Sequence, residues 1–135
     1  LGHPVACAAA HAVVTKLTDG GMTARAAQIG EYFGKALRET FAQHPHVGDI
    51  RGRGMFRALE FVADRETKAP FDPSKMMAAL LKAKAIENSL ICYPMSGTID
   101  GQNGDHVLLA PPFICTEGQI DELVGKLQKS VEAVI

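Results

Sequence analysis

The sequence predicts an α+β fold, a short and mostly antiparallel sheet covered by helices. Three observations lead there. Ile120, Leu123, Val124, Leu127, Val131 and Val134 form one apolar stripe at helical spacing near the end of the chain. The run His106-Val107-Leu108-Leu109-Ala110 reads as a strand and stops at Pro111-Pro112, because proline donates nothing to a ladder. Along the whole chain the elements follow the order α-α-β-β-α-β-β-α.

Pro4 suits the first turn of a helix, where its missing N–H costs nothing, and the alanine-rich run after it extends that helix to about Leu17. Asp19-Gly20-Gly21 stops it. Val5 to Val14 is apolar almost throughout, broken by His11, so it needs a partner to cover it. This points to a fragment of a longer protein and to self-association through the helix. A second helix follows over about Thr23 to His44, with Ala26, Ile29, Phe33, Leu37 and Phe41 on one stripe and Pro45 behind it.

Val47 to Arg51 then enters the glycine-rich turn Gly52-Arg53-Gly54. Met55 to Val62 is the returning strand of an antiparallel pair. Asp72 is an N-cap with Pro73 at the first helical position, and Met76, Met77, Leu80 and Leu81 carry that helix to about Asn88. Leu90 to Tyr93 reads as a buried strand ended by Pro94. Met95 to Asp105 is a loop. Thr116 and Gln119 have the spacing of a capping box at the start of the last helix.

The 135 residues suffice for one domain with a core of its own. Fourteen basic residues against fifteen acidic ones give a net charge of -1, which offers no electrostatic case for nucleic acid or an anionic membrane. No apolar run approaches the roughly 18 residues of a membrane span, and no signal peptide is recognisable. Cys7, Cys92 and Cys115 are odd in number and far apart, which suits reduced thiols in a cytoplasmic protein.

Chemistry is sparse. Gly52-Arg53-Gly54 has Arg57 where a dinucleotide fingerprint needs its third glycine, so a tight turn is its reading. His44-Pro45-His46 lacks the companions of a metal site. Asp105-His106 offers an acid–base pair or, more plainly, a loop-to-strand hydrogen bond. Arg51, Arg53 and Arg57 alternate and are expected on one face, either gripping an anion or pairing with Asp49 and Glu60.

Three segments add a resemblance. Gly2-His3-Pro4-Val5-Ala6-Cys7-Ala8-Ala9-Ala10 resembles the GHP-x-x-x-A-A-A segment of class III aminotransferases. Val47 to Met55 is similar to that family's V-x-x-x-R-G-x-G hairpin, with Glu60 at the place of an acidic residue. Ala110-Pro111-Pro112-Phe113-Ile114-Cys115-Thr116 is similar to its A-P-P turn.

The resemblance implies the small C-terminal domain of a fold-type I pyridoxal-phosphate enzyme over residues 20–135. Residues 1–19 would be the helix linking it to a large domain. It implies a homodimer with active sites shared between subunits, pyridoxal 5'-phosphate as cofactor, and an amino donor and a keto acid acceptor as small-molecule partners. None of the eight lysines stands in the family's lysine motif. The resemblance therefore puts the catalytic lysine upstream of Leu1, assigns no catalytic residue to this chain, and implies that the chain alone is inactive.

Gly2 lies closest to the family's phosphate-contacting segment. Related enzymes grip a substrate carboxylate with an arginine in the loop before G-D-H or in the strand before A-P-P. Here that loop reads Asp100-Gly101-Gln102-Asn103-Gly104 and the strand Val107-Leu108-Leu109, with no arginine in either. Gln102 and Asn103 are left as the substrate-side candidates. An amine or ω-amino acid donor with a keto acid such as pyruvate is the implied chemistry. The alternatives are another pyridoxal-phosphate reaction on the same scaffold (racemase, aminomutase, decarboxylase) or a stand-alone binding or structural domain.

Overall fold

The computed structural model describes residues 2–135. In chain order they form α1 (Pro4–Thr18), α2 (Met22–Phe41), β1 (Val47–Arg53), β2 (Phe56–Phe61), a 3-10 turn (Pro73–Lys75), α3 (Met77–Glu87), β3 (Tyr93–Ser96), β4 (Asp105–Leu109) and α4 (Glu117–Glu132). The four strands make one antiparallel sheet in the order β1-β2-β4-β3. The α+β expectation holds, and the order of helices and strands is the expected one.

One face of the sheet is buried under helices. Leu59, Phe61, Val107 and Leu109 point from the sheet into a core shared with Phe33, Leu37 and Phe41 of α2, Leu81 of α3, and Ile120, Leu127 and Val131 of α4. The stripes read from the sequence for α2 and α4 are the ones that are buried. The expected capping box is complete: the Thr116 side chain accepts from the Gln119 backbone, and the Gln119 side chain accepts from the Thr116 N–H at 3.0 Å. Helix α1 stands apart, with no buried residue of its own.

Two elements depart from expectation. The helix expected from Pro73 to Asn88 is interrupted. Asp72 does cap its start, accepting from the Ser74 N–H at 2.8 Å, but only a single 3-10 turn follows. Met76 then takes φ 48, and α3 restarts at Met77. The third strand is displaced towards the C-terminus, over Tyr93–Ser96, with Pro94 inside it. β3 is an edge strand paired with β4 alone, so Pro94 can turn its donorless nitrogen outward without losing a ladder bond.

The turn expected at Gly52-Arg53-Gly54 falls one step later: Gly52 and Arg53 still belong to β1, and the loop itself is Gly54-Met55. Arg53 pairs with Phe56 across the two-residue loop Gly54-Met55, with Gly54 at φ 55 in the first central position. Helix α2 rests directly on this loop. A Cβ on Gly30 would come within 2.4 Å of the Gly54 backbone, so only glycine permits the approach.

Candidate functional site

The hairpin tip, the first turns of α2 and the Ala110–Phe113 segment border a recess of about 500 Å³. Its lining is mainly apolar: Ala26 and Ala27 of α2, Met55 and Phe56 of the hairpin, and Pro111 and Phe113 beyond β4. Glu31 and Arg53 are the charged groups at its rim.

Two arginines hold its irregular walls against α2. Arg57 is buried beneath α2 and donates from Nε to the Gly54 carbonyl (3.0 Å). Its two terminal nitrogens donate to the carbonyls of Gly52 (2.9 Å) and Gly30 (2.6 Å). Glu31 lies 3.5 Å from the same guanidinium. Arg25 does the equivalent work on the other wall. It donates to the carbonyls of Phe113 (3.2 Å), Ile114 (3.4 Å) and Cys115 (2.8 Å). A planar guanidinium serves several carbonyls at once, which fixes segments that lack regular hydrogen bonding.

The three arginines of the hairpin do not share a face. Arg53 pairs with Phe56 across a two-residue loop, so Arg57 falls opposite Gly52 and turns inward, while Arg51 and Arg53 turn outward. Arg51 matches the ion-pair reading. It lies 2.7 Å from Asp49 and 2.5 Å from Glu60, and its guanidinium is held above its usual range by those two carboxylates, Glu60 first. Arg57 matches neither the anion nor the ion-pair expectation, since its bonds are chiefly to backbone carbonyls.

Asp105 and His106 are neighbours on β4 and so project to opposite faces. Asp105 is buried and accepts from the Ala78 N–H in the first turn of α3, whose own N-cap residue Met76 offers no side-chain bond. Burial raises its carboxyl above the ordinary range against that bond. His106 faces the other way and lies 2.7 Å from Thr98 Oγ1, which is the loop-to-strand hydrogen bond. Burial, then Arg51, lowers its imidazole. The pair does not assemble for acid–base work.

Gly2 is exposed at φ 85, and an added Cβ there would meet nothing within 4 Å. Gln102 and Asn103 lie in the β3–β4 loop, organised around Asp100. That carboxylate accepts from the backbone N–H groups of Gln102 (2.9 Å) and Asn103 (2.7 Å) and from the Asn103 side-chain amide (2.7 Å), which hold it down at about 2. Asn103 thus gives one of its two amide N–H donors to its own loop. The Gln102 side chain lines a smaller recess beside Pro73, Met76 and Asp105. Gly2 is not packed against either of them.

His44 and His46 stand 6.1 Å apart with the His46 N–H donating to His44 Nδ1, and no cluster of metal-ligating side chains occurs among the described residues. The three cysteines are free thiols. No helix is long and apolar enough to cross a membrane. The recess and its two arginine clamps were not foreseen. The G-x-G hairpin and the double proline marked its walls, but nothing local to Arg25 announces partners some ninety residues away.

Comparison with known proteins bears on this arrangement. The sequence profile of the family described as Aminotransferase class-III matches residues 1–131. An uncharacterized aminotransferase of Schizosaccharomyces pombe is 49% identical over 133 residues, covering 98% of this chain and 29% of that protein. The diaminobutyrate–2-oxoglutarate transaminase of Halomonas elongata is 37% identical, covering 98% of this chain and 27% of its own length. The solved PMP-bound aminotransferase from Vibrio fluvialis superposes with a TM-score of 0.87 at 34% identity, covering 98% of this chain and 27% of that one. The chain thus spans under a third of the relatives it matches. With the small α+β fold, the R-G-x-G hairpin and the A-P-P turn all in their places, the chain belongs to the class-III aminotransferase family.

Proposed function

We propose that this chain is the small C-terminal domain of a pyridoxal-phosphate-dependent aminotransferase. Its parent moves an amino group from an amine or ω-amino acid to a keto acid such as pyruvate. Residues 1–19 lead in from the large domain, and the parent works as a homodimer. The family match over residues 1–131 supports the reaction class. The observation that carries the substrate class is the absence of arginine from the Asp100–Gly104 loop and from Val107–Leu109. A substrate carboxylate would there meet the neutral amides of Gln102 and Asn103, the latter already giving one of its two N–H donors to Asp100. A neutral amide grips a carboxylate without charge assistance, which favours donors that carry none near this loop.

When bound, the cofactor supplies an aldehyde that takes up the amino group and a ring that acts as an electron sink. The residues described here do not fit it by themselves. Lys68 lines one recess and donates to the Gly48 carbonyl at 2.7 Å. Lys35, Lys84 and Lys126 pair with carboxylates on their own helices, and Lys75 lies over Phe71. The reactive lysine belongs to the large domain, and the small domain positions the substrate. The test is alanine formation by the full-length gene product supplied with pyridoxal phosphate, pyruvate and 1-phenylethylamine. Turnover with this amine, and slower turnover with glutamate, is expected. Turnover confined to glutamate would refute the substrate class.

A further inference from the structure

The side-chain amide of Asn103 has a donor end and an acceptor end, and the loop decides which one it offers. Its Nδ2 donates to Asp100 Oδ2 at 2.7 Å, while Asp100 Oδ1 accepts from the backbone N–H groups of Gln102 (2.9 Å) and Asn103 (2.7 Å). An ionised carboxylate accepts and never donates, so the nitrogen end must face it and the oxygen end must face away. No donor among the described residues reaches Asn103 Oδ1. The backbone beneath is fixed as well. The Ile99 N–H donates to the Asn103 carbonyl (2.9 Å), the Gly101 N–H to the Gly97 carbonyl (3.0 Å) and the Thr98 N–H to the Gly104 carbonyl (3.3 Å). Turning the amide over would set its oxygen against the Asp100 carboxylate, two acceptors with no proton between them. Half-buried Asn103 therefore presents an acceptor, beside the negative charge of exposed Asp100.

We infer that Asp100 is a positioning residue for substrate choice: it holds the Asn103 amide with its oxygen outward, so that the loop turns away donors with a carboxylate at this place and admits those that bring an N–H or an apolar group. The inference rests on the proposed function, which puts Gln102 and Asn103 on the substrate side, and it deepens that reading. Exclusion of a carboxylate is then built into the loop and does not follow only from a missing arginine. A carboxylate approaching Asn103 meets an amide oxygen and a like charge before it can reach the one remaining N–H, and such a placed repulsive contact is how a site discriminates between otherwise similar ligands.

Asp100→Asn in the full-length gene product tests this. The new amide keeps an oxygen for the two backbone N–H groups and puts a nitrogen where Oδ2 was. Asn103 then turns over to accept from it, and its N–H donors face outward. The kcat/KM for glutamate, relative to that for 1-phenylethylamine, should rise about fivefold or more, chiefly through a lower KM for glutamate. An unchanged ratio overturns the inference. So does an equal loss with both donors, which would make Asp100 a brace for the loop and nothing else. Asn103→Ala separates orientation from bare charge: it should relax the ratio by itself, and Asp100→Asn added to it should change little more. Full additivity of the two changes would make Asp100 a surface charge only and overturns the inference as well. The unsubstituted enzyme is assayed first. Turnover confined to glutamate, or none with either donor, removes the proposed substrate class and this inference with it, whereas a preference for the amine that Asp100→Asn leaves unaltered removes this inference alone.

Discussion

Replacing Arg57 with alanine removes three hydrogen bonds from a buried guanidinium. Its partners, the carbonyls of Gly30, Gly52 and Gly54, belong to α2 and to the hairpin turn it supports. Hydrogen bonds to a charged group contribute about 1.5–3 kcal/mol each when a buried partner is left behind, and less where water can replace the donor. The Gly30 carbonyl is shielded by the helix and its contact is the buried one, whereas the other two lie at the partly exposed turn. The expected loss is therefore about 3–5 kcal/mol, which for a chain of this length lowers Tm by about 10–18 °C. Arg57→Lys retains the charge without the fork and should lose roughly half as much. Urea denaturation followed by far-UV circular dichroism measures both. A loss under about 1 kcal/mol for Arg57→Ala, or a lysine variant as stable as the parent, would refute the clasp.

Gly30→Ala should destabilise despite a better helix propensity, because its Cβ meets the Gly54 backbone at 2.4 Å, whereas Gly125→Ala in α4 meets nothing and should stabilise by about 0.5–1 kcal/mol. The same denaturation assay distinguishes the two signs. Thr116→Ala breaks the capping box of α4 at a cost of about 1 kcal/mol, read as a lower urea midpoint. The Cys92 thiol is pushed up to about 11 by burial, so Ellman's reagent at pH 8 should modify exposed Cys7 first and leave Cys92 unmodified until unfolding. His44 and His106 are both lowered by burial, so the unfolded chain binds protons that the folded one refuses. Stability should be full above about pH 6.5 and fall as pH drops below it, and His44→Gln with His106→Gln should flatten that slope.

Much of this fold is legible in the sequence because its signals are local. The Thr116–Gln119 spacing and the α4 stripe both appear as read, and so does the α2 stripe, while the hairpin turn lies at Gly54-Met55, at the end of the glycine-rich segment. What escapes local reading depends on pairing. The parity of Arg57 is reversed by a two-residue loop, which cannot be counted until Arg53 is known to face Phe56. Pro94 ends a strand only where its nitrogen would face a neighbour, and β3 has none on that side. The break at Met76 has no glycine to announce it. Asp105, arriving from β4 to accept from Ala78, supports the restart of α3 in its place. The recess was legible only in part, since the motifs at its walls are local and the Arg25 and Arg57 bonds that hold them are not.

The small-domain assignment is tested most directly by the intact mass of the native polypeptide that carries this sequence. The chain weighs 14.4 kDa and covers 29% of its yeast relative, and dividing one by the other gives about 50 kDa. A native species near that mass, with this segment at its C-terminal end, is the predicted result. A native species of 14.4 kDa would contradict it, because the lysine that the reaction needs would then be missing from the protein itself.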